Sequence, residues 1–109
     1  MNYYSLRFPL LDHTFKEICS ILGPDFIGND QTGIFEFTCD FGNDYWYCLH
    51  TILDHIQAKL SKLESIGIEK DKISLWLISE FSEQTNLEFS PDILEKLGEV
   101  GITFCISLY

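Results

Sequence analysis

The chain has 109 residues, 46% hydrophobic and 15% aromatic, which is one domain's length with enough apolar matter for a core and excludes a disordered segment. Seventeen acids against seven bases give a formal net charge of -10, the sign opposite to that of a binder of nucleic acid or anionic membrane. No apolar run reaches the ~20 residues that span a bilayer, and Met1-Asn2-Tyr3-Tyr4 lacks a signal-peptide layout, so a single cytoplasmic domain over 1–109 is expected.

Tyr3 to Phe8 alternates, with Tyr4, Leu6 and Phe8 on one face, and predicts a strand that ends at Pro9. Phe15, Ile18, Cys19 and Leu22 follow helical spacing between a cap at Asp12 and a stop at Gly23-Pro24. Asp25 to Thr32, with Gly28, Asn29 and Asp30, reads as a loop. Ile34 to Phe41 is the cleanest strand, placing Phe35, Phe37, Cys39 and Phe41 opposite Ile34, Glu36, Thr38 and Asp40.

Gly42-Asn43 then turns the chain into a long helix with the stripe Leu49, Ile52, Leu53, Ile56, Leu60 and Leu63, and Gly67 just past its end. Ile73 to Glu80 is a second strong strand, and Asn86 to Phe89 a short one after the acidic link 81–85. Ser90-Pro91-Asp92 starts a helix whose inner face is Ile93, Leu94, Leu97 and Val100, stopped by Gly101. Ile102, Phe104, Ile106 and Leu108 mark a last strand.

The expected order is β-α-β-α-β-β-α-β. Strands that alternate have one buried and one wetter face, and three amphipathic helices can cover the buried one. The expected fold is therefore α+β: a two-layer sandwich with a mostly antiparallel sheet of about five strands, ferredoxin-like or related.

The stretch CDFGNDYWYCLH, from Cys39 to His50, sets two acids and three consecutive aromatics around a Gly-Asn turn. With a helix starting at Asp44, Tyr45 and Trp46 continue the core stripe, while Tyr47 aligns with His50, Thr51 and Asp54 on the polar side. Asp40, Asp44 and Tyr47 are left as an acidic-aromatic patch. The uncovered sheet face is a second patch, with Tyr3, Ser5, Arg7, Glu36, Trp76, Ile78 and Glu80 among its members. Acids cluster around both: seven lie between Glu17 and Asp54 with no Lys or Arg among them, and five more, including Glu80 and Glu83, lie between Lys72 and Lys96. Such a field serves solubility and also steers basic partners.

No nucleophile elbow, phosphate-binding loop, HExxH or dinucleotide fingerprint is present. His50 and Asp54 are spaced i, i+4 and can meet, but His55 is rotated away, so an ordinary His-Asp contact is expected rather than a metal site. Glu36 and Asp40 share a strand face about 13 Å apart, too far for a glycosidase pair. Cys19, Cys39, Cys48 and Cys105 have no CxxC spacing and read as free thiols inside apolar elements. No enzyme, metal or cofactor is expected.

Three segments carry a resemblance. HTFKEICSILGPDF is similar to a first helix running into an LG-x-x-P type turn, LHTILDHIQAKLSKL to a long helix of paired leucines, and LEFSPDILEKLGEVGITFCISLY to a closing strand, Ser-Pro-capped helix, Gly, strand and terminal Tyr. Together they resemble a family of small bacterial proteins of unknown function, many encoded beside polymorphic or contact-dependent growth-inhibition toxins. The family's usual Trp after the first loop is Ile34 or Phe35 here.

The resemblance implies an immunity protein: a monomer that binds and neutralises a cognate toxin, without direct contact to nucleic acid or membrane. The charge fits a basic toxin, such as an RNase or DNase. Glu36, Asp40, Asp44, Tyr47, Asp54, Trp76, Glu80 and Glu83 are the expected partner-binding residues. The alternative is a homo-oligomeric or adaptor module that buries the open sheet face.

Overall fold

The computed structural model describes residues 2–9, 15–37, 45–79 and 88–108. Among them, five strands form one sheet in the order β2-β3-β1-β4-β5. In chain order the elements are β1 (Asn2–Arg7), α1 (Phe15–Leu22), β2 (Phe26–Asn29), β3 (Ile34–Phe37), α2 (Tyr45–Ser65), β4 (Ser74–Ser79), α3 (Pro91–Val100) and β5 (Thr103–Leu108).

β1 pairs antiparallel with β3 and with β4, and β2 pairs antiparallel with β3. β4 and β5 are parallel, because the connection between them is long enough to carry α3 back along the sheet. The sheet is therefore mixed. β1-α1-β2 and β3-α2-β4 each join two strands that run the same way with one strand lying between them.

This order differs from the expected one at two places. The segment read as a loop holds β2, which forms a hairpin with β3. Its turn is closed by Gly33 N–H donating to the Asn29 carbonyl at 2.9 Å and by Gln31 N–H donating to Asn29 Oδ1 at 2.9 Å, with Gly33 at φ 72°. Conversely, Glu88 and Phe89 lie in no strand; Asn86 and Leu87 fall outside the described residues. Phe89 is apolar because its ring packs edge-on against Phe104 at 5.9 Å, a contact that needs no ladder.

The helices cover one face. Leu49, Ile52, Leu53, Ile56 and Leu63 of α2 join Tyr4 and Leu6 of β1, Phe35 of β3, and Leu75 and Leu77 of β4 in a single buried cluster. α2 is the central helix, touching α1 on one side and α3 on the other, while α1 also meets β2. α3 starts as expected, with the Ser90 hydroxyl accepting from Ile93 N–H at 3.4 Å and Pro91 in the first turn, and it ends at Gly101 with φ 75°. Its predicted inner face holds for Ile93, Val100 and the partly buried Leu97, but Leu94 is 55% exposed, since α3 has a helix on only one flank.

A polar contact locks α1 to α2. His55 Nε2–H donates to the Leu22 carbonyl at 2.6 Å, satisfying one of the acceptors orphaned at the end of α1, and the His55 ring lies 5.3 Å from Phe26. His55→Ala is expected to lower stability by about 1–2 kcal/mol, read as a lower urea midpoint; an unchanged midpoint contradicts this contact.

Candidate protein-binding face

The sheet face away from the helices is built by the other strand parity. Cross-strand register puts Glu36, Ser5, Trp76 and Cys105 in one row across β3, β1, β4 and β5. The next row runs Ile34, Arg7, Ser74 and Thr103, and Tyr3, Ile78 and Ser107 form a third. At the centre, the Arg7 guanidinium lies 4.0 Å from the Trp76 ring centroid. Trp76 Nε1–H donates to the Ser74 hydroxyl at 2.9 Å, so the indole is held at both its face and its edge.

These side chains lie over the sheet rather than stand free of it. Ser5, beneath them, is only 2% exposed, and Ile78 is buried as well, although none of the described helices packs on this face. Arg7 and Trp76 are half-buried, whereas Glu36 and Tyr3 are exposed. Beside Glu36, a shallow hollow of about 370 Å³ is lined by Ile27, Gly28, Asn29, Thr32 and Ile34. This face thus carries a half-buried aromatic-cation pair near its centre and an exposed carboxylate at the β3 side.

Of the expected contact residues, Glu36 and Trp76 share this face. Asp54 does not. It projects from α2 in the helix layer and forms an ion pair with Lys96 of α3 at 2.5 Å, in place of the contact with His50 that the spacing suggested. Tyr47 lies in the first turn of α2, with only its backbone described, and Asp40, Asp44, Glu80 and Glu83 fall outside the described residues.

The described acids are also spread more widely than one face. Glu17 is on α1, Asp30 at the β2–β3 turn, Glu64 on α2, Glu69 and Asp71 at the turn before β4, and Asp92, Glu95 and Glu99 on α3. Among described strand residues of the helix-free face, Glu36 is the carboxylate, and Arg7, paired with Ile34 in the neighbouring row, is the cation. Among the described residues, the carboxylates are thus not gathered on one face. Sequence reasoning missed the Arg7–Trp76 stack, although both residues were placed on the correct face; only the diagonal offset fixed by the β1–β4 register brings them together.

Other chemistry is sparse here. Among the described residues, no group of three or more His, Cys, Asp or Glu is arranged to hold a metal ion, and no helix is long and apolar enough to cross a membrane. Cys19, Cys48 and Cys105 are free thiols, and burial raises the Cys19 thiol above its ordinary pKa, which disfavours the reactive thiolate. No protein family, curated protein or solved structure matches the chain.

Proposed function

We propose that this chain is an immunity protein: a cytoplasmic binding protein that recognises and neutralises a basic toxin domain, with a nuclease as the toxin class its charge fits best. The observation that carries this reading is a sheet platform bearing Trp76, Arg7, Tyr3 and Glu36 on a domain with a net charge of -10. Aromatic residues and arginine are the usual energetic anchors of protein interfaces, and a held ring loses little entropy on binding. The domain's field supplies attraction toward a cation before contact, and the platform supplies the contact.

We also read the first four strands as a ferredoxin-like core. β1-α1-β2-β3-α2-β4 with spatial order 2-3-1-4 fits two interlocked split β-α-β units, and α3-β5 then extends that core at the β4 edge. In this reading most of the helix layer is structural and the opposite sheet face is left for the partner. Asp40, Asp44, Tyr47, Asp54, Glu80 and Glu83 are proposed as partner contacts beside Glu36 and Trp76.

The test is charge reversal at Glu36, Asp40, Asp44 and Glu80 together, read as the association rate with the proposed basic toxin, sought in the product of the neighbouring upstream reading frame. A marked slowing supports the assignment of this face, and an unchanged rate removes it.

A further inference from the structure

We propose that Arg7 receives a side-chain carboxylate of the partner protein, so that this acidic domain meets its basic partner through one reversed charge pair. This deepens the toxin-binding reading and rests on it.

A cation here runs against the charge of the domain. Arg7 is the only arginine in the sequence, and the lysines lie on the helices or in the turn before β4. β1 is the middle strand of five, so Arg7 stands in the middle of the helix-free face. Long-range attraction to a basic protein gains nothing from it.

Nothing described inside the domain accounts for this charge. The register gives Arg7 two diagonal neighbours on its own face, Glu36 toward β3 and Trp76 toward β4. The carboxylate is the stronger electrostatic partner, yet the guanidinium lies on the indole, 4.0 Å from the ring centroid. Among the described residues, no carboxylate forms an ion pair with Arg7. Its Nε is buried without a hydrogen-bond partner, and so is the hydroxyl of Ser5, two residues back on the same face. Native structures satisfy most buried polar atoms, and an unmet donor on a charged group is costly. Arg7 is thus held in place, charged and without an acidic partner of its own.

The geometry narrows the ligand. With Nε covered and one face of the guanidinium on the indole, the Nη edge is left to meet a partner. Such an edge matches a carboxylate with two N–H bonds, a fit that a hydroxyl or a carbonyl does not offer. A nucleic acid or an anionic membrane is repelled by the net charge of -10. A carboxylate carried on a basic protein arrives with attraction instead. Glu36 on the β3 flank and Arg7 on the β4 flank then demand a base and an acid at matching places, which a uniformly basic surface fails to supply.

Arg7→Met separates this contact from the general field, because the two predict different results. It lowers the net charge from -10 to -11, so the field alone leaves association with the proposed toxin unchanged or slightly faster, and dissociation unchanged. The carboxylate contact predicts dissociation at least ~10-fold faster, with little change in the association rate. Arg7→Lys keeps the charge but lacks the planar fork, and is expected to dissociate ~3- to 10-fold faster. Surface plasmon resonance reads both rates, and far-UV circular dichroism checks the fold. Amidating the partner's carboxylates with carbodiimide and methylamine should abolish the difference between wild type and variant, whereas a purely structural role of Arg7 under Trp76 leaves it in place. Should Arg7→Met fail to fold, Arg7→Lys against native and amidated partner is read instead. Unchanged dissociation in the folded variant, or a difference that survives amidation, overturns this inference and leaves the toxin-binding reading standing. Absence of binding by the wild-type chain overturns both.

Discussion

Phe35→Ala is expected to cost about 3–5 kcal/mol, a large part of the roughly 5–15 kcal/mol that holds a domain of this size. Phe35 is 0% exposed and lies where the β2–β3 hairpin, β1 and α1 meet. Its ring meets Phe8 edge-on and stacks on Phe15, both at 5.4 Å between centroids. It also covers the backbone of Gly28 so closely that an added Cβ would sit 2.3 Å from ring atom Cε1. Truncation removes all of these contacts and leaves a cavity that strands paired on both sides of β3 cannot close. Gly28→Ala attacks the same contact from the other side and should destabilise in the same direction by overpacking. Urea unfolding followed by far-UV circular dichroism measures both; a loss below ~1 kcal/mol for Phe35→Ala contradicts this account of the core.

Reversing Glu36, Asp40, Asp44 and Glu80 to lysine is expected to slow association with the proposed basic toxin, sought in the product of the neighbouring upstream reading frame, by about 10- to 100-fold at low salt. Four reversals move the net charge from -10 by +8, to -2, so part of the effect is global. Four reversals in the helix layer and its turn, at Glu64, Asp71, Glu95 and Glu99, make the same change in net charge away from the proposed face and provide the control. The face assignment requires the first variant to be slowed more than the control. Equal slowing leaves the domain's field as the attractor but moves the contact elsewhere. Stopped-flow kinetics separates the cases, since peripheral charges act mainly on the association rate.

The sequence made the helices legible because their signals are local and strong. Ser90-Pro91 and Gly101 bracket α3, and the α2 stripe from Leu49 to Leu63 is buried except for the half-buried Leu60, with Gly67 just past its end at φ 91°. The strand parity of β1, β3 and β4 was equally readable from alternation. β2 was not, because Gly28 and Asn29 signal a turn in isolation. Gly28 is there to let the Phe35 ring lie on the backbone, a tertiary fact invisible to a window of neighbours. Of the strand expected at 86–89, only Glu88 and Phe89 are described, and they lie in no strand; Phe89 is apolar because its ring packs on Phe104.

The candidate face was legible only in part. Alternation placed Glu36, Arg7 and Trp76 on the helix-free side, but it could not foresee the Arg7–Trp76 stack, which depends on register between strands about seventy residues apart in the chain. Helical spacing offered His50 as the neighbour of Asp54, and the packing of α2 against α3 supplied Lys96 instead. Leu94 has the period of a core residue and is exposed because α3 is the outermost helix. In each case the deciding partner comes from another element.

The central claim is that an acidic domain captures a cationic protein through long-range attraction. Its most direct test is the association rate constant between this chain and the proposed toxin, measured from ~20 to ~500 mM NaCl. The account predicts a fall of at least ~10-fold across that range, with the dissociation rate changing far less. An association rate that stays flat as salt rises contradicts it.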